Sequence, residues 1–316
     1  MERGERLVLP AFLASALFGG GNAIAIKFSN AELDPVWGAT LRFGLAAILM
    51  WGLLTIRREK LPRGRALVGA VLYGVLAFGA AFALGFYALV ELDAGFATVL
   101  LSTVPLLTLL LAVAQRQEKM RREALIGSIV ALGGIALMVG LSFEGSVPIL
   151  PVLAMLGGAA LISEATIIVR WFPGSSPVAL NAVGMTAGSL VLITLTFLVG
   201  NRVALPAQAE TWTALAYMVV VGTGVVFNLY LFVLEYWEAS RAAYGFVLVP
   251  PVTIALSPWL LGETVNLGLL TGGALVVAGV YLGALRSKAT TGRPSVAHDW
   301  ANCGVTVPID DLVGSE

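Results

Sequence analysis

Of 316 residues, 58% are hydrophobic and 12% are charged, with basic and acidic side chains balanced at a net charge of +0 and a mean hydropathy of +0.91. Soluble domains carry roughly 25% charged residues, so a chain this poor in charge takes lipid as its solvent. The one cysteine, Cys303, and the one histidine, His298, fall in a polar C-terminal stretch, which excludes a disulfide framework, a Cys/His zinc site and catalysis by either residue in the apolar part; no cofactor, metal or nucleic-acid partner is expected.

Crossing the hydrocarbon takes about 20 apolar residues. The sequence predicts ten such segments, at 8–28, 35–56, 66–90, 94–114, 122–141, 148–169, 177–200, 211–234, 241–261 and 267–285. The first follows the charged residues 1–6, and Ala23, Ile24 and Ala25 imitate a signal-peptidase site. It is read as an uncleaved span, because its counterpart at 150–170 lies inside the chain and cleavage would break the repeat described below. Of the links, 57–65 and 115–123 are the most charged. Counted by alternate sides, they fall with Arg3, Arg6, Arg170, Arg241, Arg286 and Lys288, against only Lys27 and Arg202 opposite. Lys and Arg are in excess in cytoplasmic loops, which places both termini in the cytoplasm of a multi-pass inner-membrane protein. Residues 287–316 mix Pro, Gly, Ser and acids without period and are expected to form a disordered cytoplasmic tail.

One stretch occurs twice. AGFATVLLSTVPLLTLLLAVAQRQE at 94–118 returns as ASRAAYGFVLVPPVTIALSPWLLGE at 239–263, each with an internal proline and a closing glutamate. Pro105 to Pro250, Glu118 to Glu263, Gly127 to Gly272 and Gly134 to Gly279 all differ by 145 positions, and Phe82 meets Phe227 at the same offset. A unit of five spans is odd, so the second copy enters the membrane from the opposite side. The expectation is an all-α membrane protein of two inverted five-helix repeats, 1–141 and 142–286, around a central cavity. Such repeats place a binding site near the midplane, opened alternately to either side.

Two copies of a five-span unit resemble the drug/metabolite transporter superfamily, specifically its EamA type, over nearly everything up to Arg286. The resemblance rests on the Pro-containing fourth and ninth spans closing in RQE at Glu118 and LGE at Glu263. Each is followed by a Gly-rich span, GSIVALGGIALMVG and GLLTGGALVVAGVYLGA, and Leu41 to Phe43 reads LRF. It implies a basket of ten spans around a cavity, mostly exporting small solutes such as amino acids, their derivatives or cationic drugs. A literal repeat would set an Arg like Arg42 at Gly184, so any role of Arg42 is asymmetric.

Ionisable groups inside spans are functional hypotheses by default. Here they are Arg42 and Glu164, each ~10 Å from a span end at ~1.5 Å per residue. Asn22 comes out near the depth of Arg42, and Asn181 and Asn228 near that of Glu164, giving two polar clusters, one per vestibule. Arg42 either clamps a substrate carboxylate with its fork or satisfies neighbouring carbonyls and fixes its span. Glu164 is either a proton-coupling carboxylate or a packing group bonded to Asn181 or Asn228. Glu118 and Glu263 are read as caps at the entry to spans five and ten. Pro105, Pro250 and Pro251 break backbone ladders at matching places, as gates or as plain kinks.

Phe78, Phe82 and Phe86 share a helical face, joined by Tyr87, Phe227, Tyr230 and Tyr244 as aromatic surface facing a cavity, the lipid or a neighbouring helix. Gly268, Gly272, Gly279 and Gly283 suit close helix contact, within the bundle or across a homodimer. A membrane-embedded enzyme lacks the reactive inventory, since no span holds His or Cys, and no GxxxxGK[ST] loop is present for ATP hydrolysis. The expected function is secondary-active export of a small amphipathic metabolite, an amino acid or derivative, driven by proton antiport or exchange; cationic-drug efflux is the alternative.

Overall fold

The computed structural model describes residues 2–116, 122–142, 148–237 and 239–282, among which every regular element is helical. Glu118, Gly283, His298, Cys303 and the tail 287–316 lie outside the described residues. Seven rods are long and apolar enough to cross a membrane: α1 (Leu7–Asn30), α2 (Pro35–Arg57), α3 (Arg65–Glu91), α4 (Ala94–Ala114), α6 (Ile149–Trp171), α7 (Pro177–Val199) and α8 (Ala209–Tyr236). Between and after them lie α5 (Arg122–Ser142), α9 (Gly245–Leu261) and α10 (Leu267–Val280), whose apolar cores are shorter. The chain is a multi-pass membrane protein.

Matching rods in the two halves run antiparallel. The start of α4 meets the end of α9, because Glu263 accepts from the Ala94 amide. The start of α2 meets the link after α7, where the Trp37 indole donates to the Ala204 carbonyl at 2.6 Å and Asp34 accepts from the Arg202 amide. At the other end the Ser176 hydroxyl bonds Glu59. The packing is reciprocal: α1 lies on α8 and α9 as α6 lies on α3 and α4, and α2 crosses α8 as α7 crosses α3. Rods α5 and α10 pack against each other. A Cβ at Gly272 would sit 2.7 Å from the Gly134 carbonyl oxygen, and one at Gly279 would sit 2.6 Å from that of Gly127. The glycine stripe of α10 is therefore used within the bundle.

Several rods depart from regular α-helix where the sequence predicts plain spans. In α3 and α8 the segments Gly74–Ala81 and Tyr217–Val225 are π-helical, and these wide turns stand at the same place in the repeat. A π segment breaks the regular ladder and is frequent at functional sites. Each wide turn is crossed by a rod of the other half: Gly74 abuts the backbone of Gly184 on α7, and Gly222 abuts the Asn22 side chain. Rod α1 is interrupted at residues 20–21 and α4 at 102–103. The carbonyls near the first break are satisfied by the second half, Phe18 by Tyr217 at 2.6 Å and Gly20 by Thr253 at 2.7 Å. Irregular backbone at membrane depth survives only where protein or a cavity satisfies it.

The prolines do not make matching breaks. Pro105 falls at the start of the helix that resumes at Val104, where its missing N–H costs nothing. Pro250, Pro251 and Pro258 instead lie inside one helix, Gly245–Leu261, and the interruption in this region precedes them at residues 243–244.

Candidate functional site

An interior cavity of about 120 Å³ lies where the halves meet. Its walls come from α1, α3 and α4 of one half and from their counterparts α6, α8 and α9 of the other. Three rods from each repeat line one chamber, so the cavity straddles the axis relating them. At the 145-residue offset, Phe82 on the wall faces the counterpart Phe227, and Leu101 the counterpart Phe246. Two aromatic pairs frame the space, Phe82 with Phe227 at 6.0 Å between ring centroids and Tyr230 with Phe246 at 5.8 Å. Polar groups on the wall are few: Ser15, Asn22, Thr98 and Tyr230, with no charged side chain among them.

Arg42 stands one layer behind. It is fully buried, and its guanidinium lies 4.8 Å from the Phe82 ring centroid and 5.0 Å from that of Phe43, an arrangement that cation–π attraction favours. Its Nε donates to Thr223 Oγ1 at 3.0 Å, and its Nη2 donates to Asn22 Oδ1 at 3.0 Å and to the Gly222 carbonyl at 3.2 Å. Asn22 Nδ2 donates to the same carbonyl at 3.2 Å. Arg42 and Asn22 together satisfy backbone of the wide turn in α8, while Nη1 has no partner among the described residues. The structure thus brings the predicted Arg42 and Asn22 together, with Asn22 on the cavity wall and Arg42 behind it.

The second predicted cluster is not assembled. Glu164 accepts from Gln115 Nε2 at 2.6 Å and from neither asparagine. Asn228 donates to the Gly224 carbonyl at 2.6 Å and to Met50 Sδ at 3.2 Å. Asn181 is fully buried, with neither side-chain atom partnered among the described residues. Equal depth along three rods did not place these side chains on facing surfaces.

The aromatic residues divide. Phe82, Phe227 and Tyr230 line the cavity, and Tyr230 shares a hydrogen bond of 3.0 Å with Thr166. Phe78 and Phe86 are fully buried in packing, Phe78 against Phe43, Tyr73 and Phe227. Tyr87 is 39% exposed and turns outward, away from the cavity. Tyr244 is buried just before α9 and is absent from the cavity wall. Sequence reasoning missed Thr223, Tyr217 and Gly85; the wide turns that make the first two matter leave no mark in hydropathy.

At the end where α3 meets α4, a separate and wider recess of about 570 Å³ is lined by Lys27, Asp93, Glu263 and neighbouring residues of the link after α9. It is the larger space, but it is polar and opens at the chain links. Here Glu263 accepts from the Ala94 amide through both oxygens, at 2.8 and 3.0 Å, and pairs with Lys27 Nζ at 3.6 Å. Glu263 therefore caps α4 of the opposite half. Rod α10, where the sequence placed this cap, is capped by Asn266, whose Oδ1 accepts from the Leu269 amide at 2.7 Å. Burial, then the charge of Glu263, pushes the Asp93 carboxyl above its ordinary 3.8, while Lys27 pulls it down.

A family model described as the EamA-like transporter family matches residues 6–140 and 149–284, two copies in one chain. The chain belongs to that family. Among relatives of this EamA protein is the uncharacterised inner membrane transporter YedA of Escherichia coli K12, 27% identical over 306 residues, covering 92% of this chain and 96% of YedA. A probable amino-acid metabolite efflux pump of Salmonella typhimurium LT2 is 26% identical over 275 residues, covering 83% of this chain and 90% of the pump. One solved crystal structure shares the fold with a TM-score of 0.66 at 17% identity, over 88% of this chain and 96% of that one. The EamA chain is a membrane transporter.

Proposed function

We propose that this transporter exports a small amphipathic metabolite, an amino acid or derivative, across the inner membrane by alternating access of its two repeats. The observation that carries the reading is the interior cavity, built from α1, α3 and α4 and their antiparallel counterparts α6, α8 and α9. A chamber lined by three rods from each of two inverted repeats suits exchange between two related packings. In this reading all ten rods span the bilayer, the repeats divide as 1–141 and 142–286, and both termini face the cytoplasm. Asn22, Phe82 and Tyr230 contact the solute, and α4, interrupted at 102–103, and α9, preceded by a break at 243–244, move as gates with Pro105, Pro250 and Pro251. Arg42 gives the wall at Asn22 a positive potential, which favours a carboxylate on the solute. The wall offers no carboxylate to a cation, which argues against cationic-drug efflux. The name of the Salmonella pump supports an amino-acid-like cargo by analogy.

Glu164 is the carboxylate proposed for proton coupling, with Gln115 as its partner. The test is purified protein in proteoliposomes, assayed for uptake and efflux of labelled amino acids and cationic dyes with and without a pH gradient. Transport of amino acids but not dyes is expected, and failure to move any solute class would overturn the reading. Unaltered pH dependence after Glu164→Gln would remove the coupling role.

A further inference from the structure

The two halves do not furnish the cavity equally. Where the second half presents the Tyr230 ring, the first half presents Gly85 at the 145-residue offset, and both positions line the wall. A Cβ built at Gly85 meets nothing within 4 Å, so open space begins at its Cα. Tyr230, by contrast, is held by Thr166 at 3.0 Å and by the Phe246 ring. Gly85 has no left-handed backbone to explain it, and in mid-helix it is less stable than alanine. Its missing side chain is what the cavity gains.

The space is about 120 Å³, somewhat less than the about 150 Å³ of an apolar protein cavity that holds benzene, so it has room for a single ring at most. Its frame is aromatic, from Phe82, Phe227, Tyr230 and Phe246, and ring-to-ring contacts of this kind favour a flat apolar guest. The polar corner is Asn22, backed by the Arg42 guanidinium at 3.0 Å. We propose that Gly85 is the residue that sets solute size: the cavity takes a carboxylate-bearing solute with one phenyl-sized group, the ring over Gly85 and the carboxylate toward Asn22. This deepens, and rests on, the reading of the cavity as the transport site.

The test compares wild type, Gly85→Ala and Gly85→Leu as purified full-length protein. Two readouts are used: transport in proteoliposomes of labelled L-phenylalanine and L-alanine, and ligand-induced shift of thermal unfolding by phenylacetate, L-phenylalanine and phenethylamine. Wild type should move phenylalanine and be stabilised by phenylacetate but not by phenethylamine. In Gly85→Leu the ratio of phenylalanine to alanine transport should fall roughly tenfold or more, as steric exclusion of a few carbons from a fitted pocket does, and the phenylacetate shift should vanish. Gly85→Ala should unfold no earlier than wild type and lie between the two in selectivity.

Stabilisation by phenylacetate without transport of any solute would sink the transport reading and leave the ring site standing. The proposal is overturned if wild type shows neither response to ring-bearing probes, if Gly85→Leu leaves the ratio unchanged, or if both solutes fall in proportion.

Discussion

Replacing Glu263 by alanine tests whether the two halves are latched at the Lys27 end. Asp93 makes no side-chain cap for α4, so the Ala94 amide depends on Glu263 from the other repeat, at 2.8 and 3.0 Å. An N-cap is worth about 0.5–2 kcal/mol, and a carboxylate at a helix N-terminus adds about 0.3–1 kcal/mol. The pair with Lys27 at 3.6 Å is 20% and 9% exposed on its two sides and contributes about 1 kcal/mol at most once screening is allowed for. The sum is about 2 kcal/mol, which at 1.4 kcal/mol per decade is roughly a 30-fold change in the population with this end parted. Ala97, three residues beyond the latch, lines the cavity, so it reports opening. In a Cys303→Ser background, maleimide should label Ala97→Cys at least tenfold faster when Glu263→Ala is added, and Glu263→Gln should give a smaller rise. Equal labelling rates would refute the latch, and a lower unfolding temperature alone would reduce Glu263 to a helix cap.

The pH dependence at the same end has a definite sign. The arrangement favours protonated Asp93, so its stabilisation is full below the ordinary carboxylate range and is lost as pH rises through the raised value; in thermal unfolding scans, Asp93→Asn should remove that part of the decline. Arg42→Lys keeps the charge but loses the fork that holds Thr223, Asn22 and Gly222. With two of three charge-assisted bonds gone, at about 1.5–3 kcal/mol each before relaxation, the unfolding temperature should drop by several degrees, and a change in substrate affinity at unchanged stability would contradict the pinning role. Gly74→Ala drives a methyl into the Gly184 carbonyl and should cost about 1–3 kcal/mol, measured by the same scans, whereas Gly52→Ala, which meets nothing within 4 Å, should not.

Hydropathy made the rods legible, because a lipid-spanning run must be apolar along its length; the predicted 35–56 and 94–114 correspond to Pro35–Arg57 and Ala94–Ala114. The wide turns were not legible. Which carbonyl an amide chooses, four or five residues back, is decided by what crosses the rod, and nothing in Gly74–Ala81 or Tyr217–Val225 alone encodes that crossing. Depth counted at a fixed rise paired Arg42 with Asn22 correctly because their helices approach at Gly222. The same count grouped Glu164 with Asn181 and Asn228, although rise says nothing of the direction a side chain faces. Glu263 was assigned to α10, its neighbour in sequence, because a contact 169 residues away leaves no local trace.

The two wide turns stand at matching places in the repeat but are held differently. On one side α7 meets α3 at Gly74 and Gly184, backbone against backbone. On the other, α2 meets α8 through Arg42, whose bonds to Thr223, Asn22 and Gly222 are directional and exchangeable. A glycine crossing loses its dispersion contacts as soon as the rods part, whereas a guanidinium can trade one oxygen acceptor for another and keep most of its energy. Under the proposed alternating access, exchange between two packings would therefore be less costly at the α2–α8 crossing. That crossing is also the one joined to the cavity wall, through Asn22, so a carboxylate on the proposed cargo would compete there for the donors that hold the wide turn of α8.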